Sequence, residues 1–578
     1  MGDVLPGQCT AANLGWSSGL LLVPWLLAML ASRFTMISLT SGRPPLVPPR
    51  ALLRLSTVST ALALYALFSF GAYGDCIDRL FPTSHTMRVF LALAPLYLAE
   101  MPRIVMATMA EALLEASNEI VEPRPVVRSL LPGWREILPV IRLRLGWPLM
   151  VILPAAMLGG CMDLLQLHRS SYVLVLVTSF GMALATIAFL ILVSMVLPYW
   201  FRIAFGVRST MPEPTGQILR QTAQALGFSP KRVFVLPTGM RSVNAMMVGP
   251  LPVGRLLCLT DGLLSTLDNS SLTGVLAHEV GHARMGHPGL LMLLAVVVPM
   301  MILSPLRLLE MDEADVTLQA VAIIGIMLLF WFGLRSLARR FEHEADVSSV
   351  QALGAAPCSR ALMTVSRLSM PQSRSLRGRL VSLHPDEQQR LLLMRRYEAD
   401  PAFRERFDRQ TRRLRQVLGA LVLVAVAVGS WFWLADWRYE RVLVRYYSGD
   451  FVAAKAALDL AGDPPERWRD SLNRVDEELQ AALALAPDVR DWDAAQAKLL
   501  PAAWERGEQV LLARGPAAAR PWFALAVSVM PAPTATEYGV YDFCQAAVNG
   551  DSDRMAQLAH IIKRRGVSPQ LEPVFRDY

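Results

Sequence analysis

Lysine is almost missing from this 578-residue chain: only Lys231, Lys455, Lys498 and Lys563 stand among 56 basic residues. The net charge is nonetheless +8, and the arginines cluster beside apolar runs instead of forming a tail or stripe. That pattern excludes a nucleic-acid-binding surface and reads as membrane-topology signals. The Arg- and Ala-rich usage is that of a GC-rich bacterial genome. Charge is scarce overall, 18% against 53% hydrophobic residues, and the mean hydropathy is +0.37. A soluble enzyme is not built this way; a multi-span membrane protein is. No Cys-x-x-Cys pair occurs among the six cysteines, so neither a thiolate zinc site nor a disulfide scaffold is indicated, and whether Cys9, Cys76 and Cys544 form bonds stays open. The first residues lack a basic region, so the first apolar run is expected to be a retained span and not a cleaved leader. Pro6 stands where N-myristoylation would need Ser or Thr.

What is present in quantity is hydrocarbon. Eight stretches approach the ~20 apolar residues that a span needs: Trp16–Ala31, Leu55–Tyr73, Val89–Met109, Trp147–Leu165, Tyr172–Trp200, Gly289–Pro305, Val316–Leu334 and Val417–Ala435. The third is the weakest, because Glu100 and Arg103 interrupt it. With it included, basic and basic-poor connections alternate. The positive-inside rule then places both termini outside and the region around His278 in the cytoplasm of a bacterial inner membrane. The expected organisation has four parts: an N-terminal membrane domain (1–200), a water-soluble block (201–416) interrupted by a two-span hairpin (289–334), a last span (417–435), and an Ala-rich helical domain (436–578). The last has a weak helical-hairpin repeat character. Two spans return the chain to the same side, so the two halves of the soluble block can build one site.

The stretch "LAHEVGHARMGHP" (Leu276–Pro288) carries that site's first residues. His278 and His282, four apart on a helix, stack on one face and can share one ion. Asn269 and Ser270 are the N-cap candidates for this helix, and Pro288 ends or kinks it. Glu279 cannot easily chelate beside both histidines, but it can act as general base on water activated by zinc. A bare His-Glu-x-x-His also arises by chance. Five of the eight histidines, however, fall between positions 278 and 384. A catalytic zinc needs a third protein ligand. "RRFEHEADVSS" (Arg339–Ser349) offers Glu342 and, one turn on, Asp346, which can accept the ring N–H of a zinc-bound histidine. The same residues also read as a solvated, charged helix start. His343 and Glu344 point elsewhere on that helix. His287 is left without a role.

Taken together, "RSVNAMMVGPLPVGRLLCLTDGLL", "LTGVLAHEVGHARMGHP", two apolar spans, "RRFEHEAD" and "HPDEQQRLL" resemble the integral-membrane zinc metallopeptidases that include the HtpX quality-control protease and the type-1 CAAX prenyl protease. The resemblance covers 230–393. With the eight apolar stretches, it gives the expected fold class: a mainly α, polytopic membrane protein of about eight transmembrane helices, whose peptidase domain the resemblance implies to be a gluzincin α/β unit, followed by a C-terminal α-helical domain. It also implies one Zn2+ on His278, His282 and Glu342, with Glu279 as base and Asp346 as partner of a ligand. Asn244 and Ala245 would begin an edge strand that pairs with a substrate backbone; a turn residue is the plainer reading of Asn244. His384 and Arg390 would stabilise an oxyanion, although Arg390 also reads as a surface helix residue. The implied substrates are membrane or membrane-associated proteins. The alternatives are a CAAX-type processing peptidase and a non-catalytic zinc-containing adaptor or chaperone. For the C-terminal domain, which lies outside the resemblance, a protein partner is expected.

Overall fold

The computed structural model describes residues 11–41, 47–69, 73–81, 84–119, 134–240, 242–294, 316–368, 385–530, 535–565 and 571–576. The protein is a mainly helical, polytopic membrane protein. Among the described residues six helices are long and apolar enough to cross a bilayer: Gly15–Ser38, Pro49–Phe68, His85–Leu113, Ile137–Gln166, Ser179–Phe205 and a stretch within Pro401–Tyr447. They coincide with six of the eight expected spans. Most of the expected span Gly289–Pro305 lies outside the described residues. Val316–Leu334 forms the first half of an unbroken helix that continues to Leu353.

The third span survives its charges for a local reason. Glu100 and Arg103 share a helix face, and the guanidinium donates to both carboxylate oxygens (2.9 and 3.0 Å from Nε). A further Arg103 donor reaches Thr57 at 3.2 Å. A paired, hydrogen-bonded charge avoids much of the cost of an isolated one in hydrocarbon.

The chain divides into two compact units. The first contains a small sheet of order β1-β3-β2, with β1 (Val233–Leu236) parallel to β3 (Leu256–Thr260) and β2 (Ala245–Val248) antiparallel to it. Alternate residues of β1 and β3 face opposite ways, as pleating requires. Val233, Val235, Leu257 and Leu259 pack with Leu219 of helix α1 (Thr215–Ala225) and with Leu263 of the short helix α2 (Asp261–Thr266). They also meet Leu272, Leu276 and Val280 of helix α3 (Asn269–Arg284). Phe234, Leu236, Leu256 and Cys258 pack instead on Phe201 and Phe205, at the end of the membrane helix Ser179–Phe205. The sheet is therefore buried on both faces, and each such aliphatic side chain contributes roughly 1.5–3 kcal/mol.

Helix α3 begins at Asp268, not at the expected Asn269 or Ser270. The Asp268 carboxylate accepts the Ser271 N–H at 3.2 Å, a cap worth about 1 kcal/mol. Its end also differs from expectation. The helix stops at Arg284 because Gly286 adopts φ +71°, and a helical turn resumes at His287, so Pro288 sits near a helix start. The buried Arg255 fixes this end: it donates to the Ala283 carbonyl (2.9 Å), to that of Gly249 (3.2 Å) and to that of Pro250 (2.5 Å). Past the sheet come helices α4 (Val316–Leu353), α5 (Ala355–Leu368), α6 (Glu387–Ala399) and α7 (Pro401–Tyr447).

The second unit holds residues 78–88, 158–188 and 427–578. Asp163 caps the start of His85–Glu119 by accepting from the backbones of His85 (2.5 Å) and Thr86 (3.1 Å). Glu440 accepts the Ser179 N–H at 2.9 Å. Beyond α7 every element among the described residues is helical, and one hairpin turns on Gly515 (φ +84°) between Leu500–Arg514 and Pro516–Val529. Buried Arg520 joins Glu477 (2.9 Å), Glu478 (3.4 Å) and Gln545 (3.1 Å) inside this tail.

Candidate metal centre

The centre forms where α3 and α4 cross closely. Gly281 permits the approach. A Cβ there would lie 3.0 Å from the Ala345 carbonyl oxygen and 3.2 Å from its Cα. Both neighbours are backbone, so the helices themselves must yield. Gly281→Val is therefore expected to destabilise the fold by about 1–3 kcal/mol and to reduce bound zinc. Thermal melting and metal analysis check this; a variant with wild-type melting and metal content would refute the packing argument.

Across this crossing, His278 and His282 of α3 face Glu342 of α4. One ligand atom from each lies within 4.8 Å of the others. The two Nε2 atoms are 3.3 Å apart. Glu342 Oε2 is 3.6 Å from His278 Nε2, and its Oε1 is 3.7 Å from His282 Nε2. A tetrahedral site with bonds of about 2.0–2.1 Å has edges of about 3.4 Å. The two imidazoles and the carboxylate are thus near enough together, and of the right donor chemistry, to hold one zinc ion.

Around them lies a charged frame. Asp346, fully buried and one turn after Glu342, stands 3.0 Å from His278 Nδ1. Arg390 of α6 donates to Asp346 twice, from Nε (2.8 Å) and Nη2 (2.7 Å), while its Nη1 lies 3.5 Å from Glu342. Burial would raise the Asp346 carboxyl, but Arg390 and His278 outweigh it and hold it below the usual carboxylate range. Burial likewise pushes His278 down, yet its hydrogen bonds to Asp346 and Glu342 carry it up to about 10. A cation entering this site must displace that proton. His282 is driven down to about 3 by burial and by the positive His278, so its lone pair is already available. Glu279 is partly buried on α3 and lies close enough to act electrostatically on Arg390.

The edge position also appears. β2 pairs on one side only, with β3, among the described residues. The Asn244 backbone brackets Thr260, with its carbonyl accepting from Thr260 N–H at 3.0 Å. The Asn244 side chain accepts the Ala245 N–H at 2.9 Å, so that donor is already used. The loop carrying His384 lies outside the described residues.

This donor set sits inside a recognisable stretch. Residues 215–398 match the model of peptidase family M48. A protease HtpX homolog of Pyrobaculum calidifontis is 27% identical over 232 residues, which cover 37% of this chain and 66% of that protein. A protease HtpX homolog of Campylobacter curvus is 36% identical over 67 residues, 12% of this chain and 23% of that one. Protease HtpX of Pasteurella multocida is 28% identical over 151 residues, 24% and 52% of the two chains. This chain thus spans less than two thirds of these relatives. The crystal structure of S. mikatae Ste24p superposes with a TM-score of 0.32 at 14% identity, over 67% of this chain and all of that one.

Two residues near this centre escape a motif reading. His287 and Glu344 are each 1% exposed, and they meet across a sequence separation of 57. A histidine five residues after a ligand was the available signal, but nothing local names its partner.

Proposed function

We propose that this protein is a membrane-embedded zinc metalloendopeptidase. It hydrolyses peptide bonds in membrane or membrane-associated proteins, and its role is protein quality control. The observation carrying this reading is the convergence of His278, His282 and Glu342, one ligand atom of each within 4.8 Å of the others, with Glu279 on the same helix as the two histidines. The relatives' names, protease HtpX and its homologs, favour the same reading.

A bound zinc ion supplies the Lewis acid that polarises a scissile carbonyl and acidifies water. Glu279 takes the proton from the attacking water and passes it to the leaving amine. Asp346 holds the His278 ring in place by accepting at Nδ1. Arg390 holds the carboxylates of Asp346 and Glu342 in register, and the oxyanion role falls to His384. The outer edge of β2, beginning at Asn244 and Ala245, aligns an extended substrate segment. Such recognition reads backbone more than sequence, which suits quality control.

The proposed orientation puts this centre on the cytoplasmic side of a bacterial inner membrane and the tail outside. It is supported by the alternation of basic loops. A protein partner for the tail remains part of the proposal.

The test uses the full chain in detergent with an unfolded or membrane substrate. A zinc chelator should abolish cleavage, and added zinc should restore it. Cleavage that persists with less than about a tenth of a zinc per chain, the ion being the acid of the reaction, would sink the reading.

A further inference from the structure

Each metal-ligating histidine needs a partner for its other ring nitrogen, and the two ligands here solve this differently. His278 has Asp346. His282 has no carboxylate at Nδ1; it has another imidazole. His287 Nδ1 lies 3.0 Å from His282 Nδ1, and His287 Nε2 lies 3.1 Å from Glu344 Oε2. The His287 ring also stacks on Phe341, at 4.2 Å between centroids and 8° between planes. Glu344 is pinned in turn. Arg415 of α7 donates to Glu344 Oε2 at 3.3 Å and to the Met285 carbonyl at 3.0 Å. Arg340 Nε stands 3.5 Å from Glu344 Oε1, and Arg340 donates onward to Thr411 of α7 at 2.7 Å.

We propose that His287 and Glu344 form a relay that positions the metal ligand His282, anchored on α7 through Arg415. The hydrogen-bond logic runs one way. A carboxylate held between two guanidinium groups accepts only, so His287 carries its proton on Nε2. Its Nδ1 is then an acceptor. The contact at 3.0 Å needs one proton, and His282 must supply it from Nδ1. That tautomer leaves the His282 lone pair on Nε2, the atom facing His278 Nε2 and Glu342. The relay thus selects the nitrogen that binds the metal and holds the ring at the angle the site requires. His287 is not a fourth ligand: both its nitrogens are engaged away from the cluster. Because Arg415 stands directly before the apolar run of α7, the relay also ties the metal centre to the last membrane helix.

The inference rests on reading the cluster as a metal site, and the test separates the two. Zinc affinity is measured by chelator competition on the full-length protein in detergent, and the visible spectrum is recorded after cobalt(II) substitution. His287→Ala should weaken zinc binding about 10–100-fold and shift the cobalt bands. His287→Gln, whose amide oxygen can accept the His282 N–H, should recover most of the affinity. Phe341→Leu loosens the packing and keeps the hydrogen bonds, so its cobalt spectrum should match wild type. Wild-type affinity and spectrum in His287→Ala would overturn the relay alone, as would equal spectral shifts in Phe341→Leu. Should His287→Ala not fold, Glu344→Gln decides: it should lose at least about fivefold in zinc affinity, and unchanged binding overturns the relay. A wild-type protein that binds neither zinc nor cobalt overturns the metal-site reading itself.

Discussion

Glu279→Gln is expected to keep its zinc and to lose about 10³-fold in kcat/KM, within the 10²–10⁴ range for removal of a general base. The expectation follows from where one residue of helix rotation leaves the side chain. His278 and His282 share a face of α3, and both Nε2 atoms turn toward Glu342. Glu279, one position on, is rotated by about 100° and cannot join them as a ligand. It is partly buried and sits near Arg390, whose charge it feels. A glutamine there fills the same volume and takes no proton. Metal content and the packing of α3 should therefore be unchanged while the rate falls. The measurement is cleavage of an unfolded substrate beside zinc analysis of the same preparation. Full zinc with a wild-type rate would remove Glu279 from the proposed chemistry.

The sequence was most informative where chemistry depends on local spacing. His278 and His282, and likewise Glu342 and Asp346, are four apart, and each pair stays within one helix, so helical geometry alone sets their relative positions. In the third span Glu100 and Arg103 look like two separate charges in the sequence, but three residues apart on a helix they form one pair. Boundaries depended on finer competition. Asp268 outcompeted its neighbours as a cap, and Gly286 ended α3 before Pro288 could. What no spacing rule could reveal are contacts that tertiary packing alone creates. Arg390 reads as a surface helix residue until α6 places it against Asp346. His287 and Glu344 have no local reason to meet. The β2 edge was legible from its resemblance to a family segment, whereas the capture of the Ala245 N–H by Asn244 was not.

Asp346→Ala should be the most damaging single change at the centre, because it breaks two things at once. Asp346 is fully buried and receives both an imidazole and a bidentate guanidinium. Its loss leaves the buried Arg390 with Glu342 at 3.5 Å and the more distant charge of Glu279 in place of a bidentate partner. Removing one partner of a buried ion pair costs about 3–5 kcal/mol. It also frees the His278 ring to rotate, and loss of such a partner weakens metal binding about 10–100-fold. Acid should reveal the same group in the wild type. The Asp346 carboxyl is held below its ordinary value, so the folded state binds fewer protons than the unfolded chain. Its contribution is complete above the unfolded carboxyl value near about 4 and is lost as pH falls through the depressed folded value. Asp346→Ala should accordingly be least stable relative to wild type near neutral pH, and the two should converge as the solution is acidified. Melting temperatures of the metal-free proteins from neutral to strongly acid pH measure this directly. A gap that stayed constant across that range would mean that Asp346 stabilises by shape and not by charge.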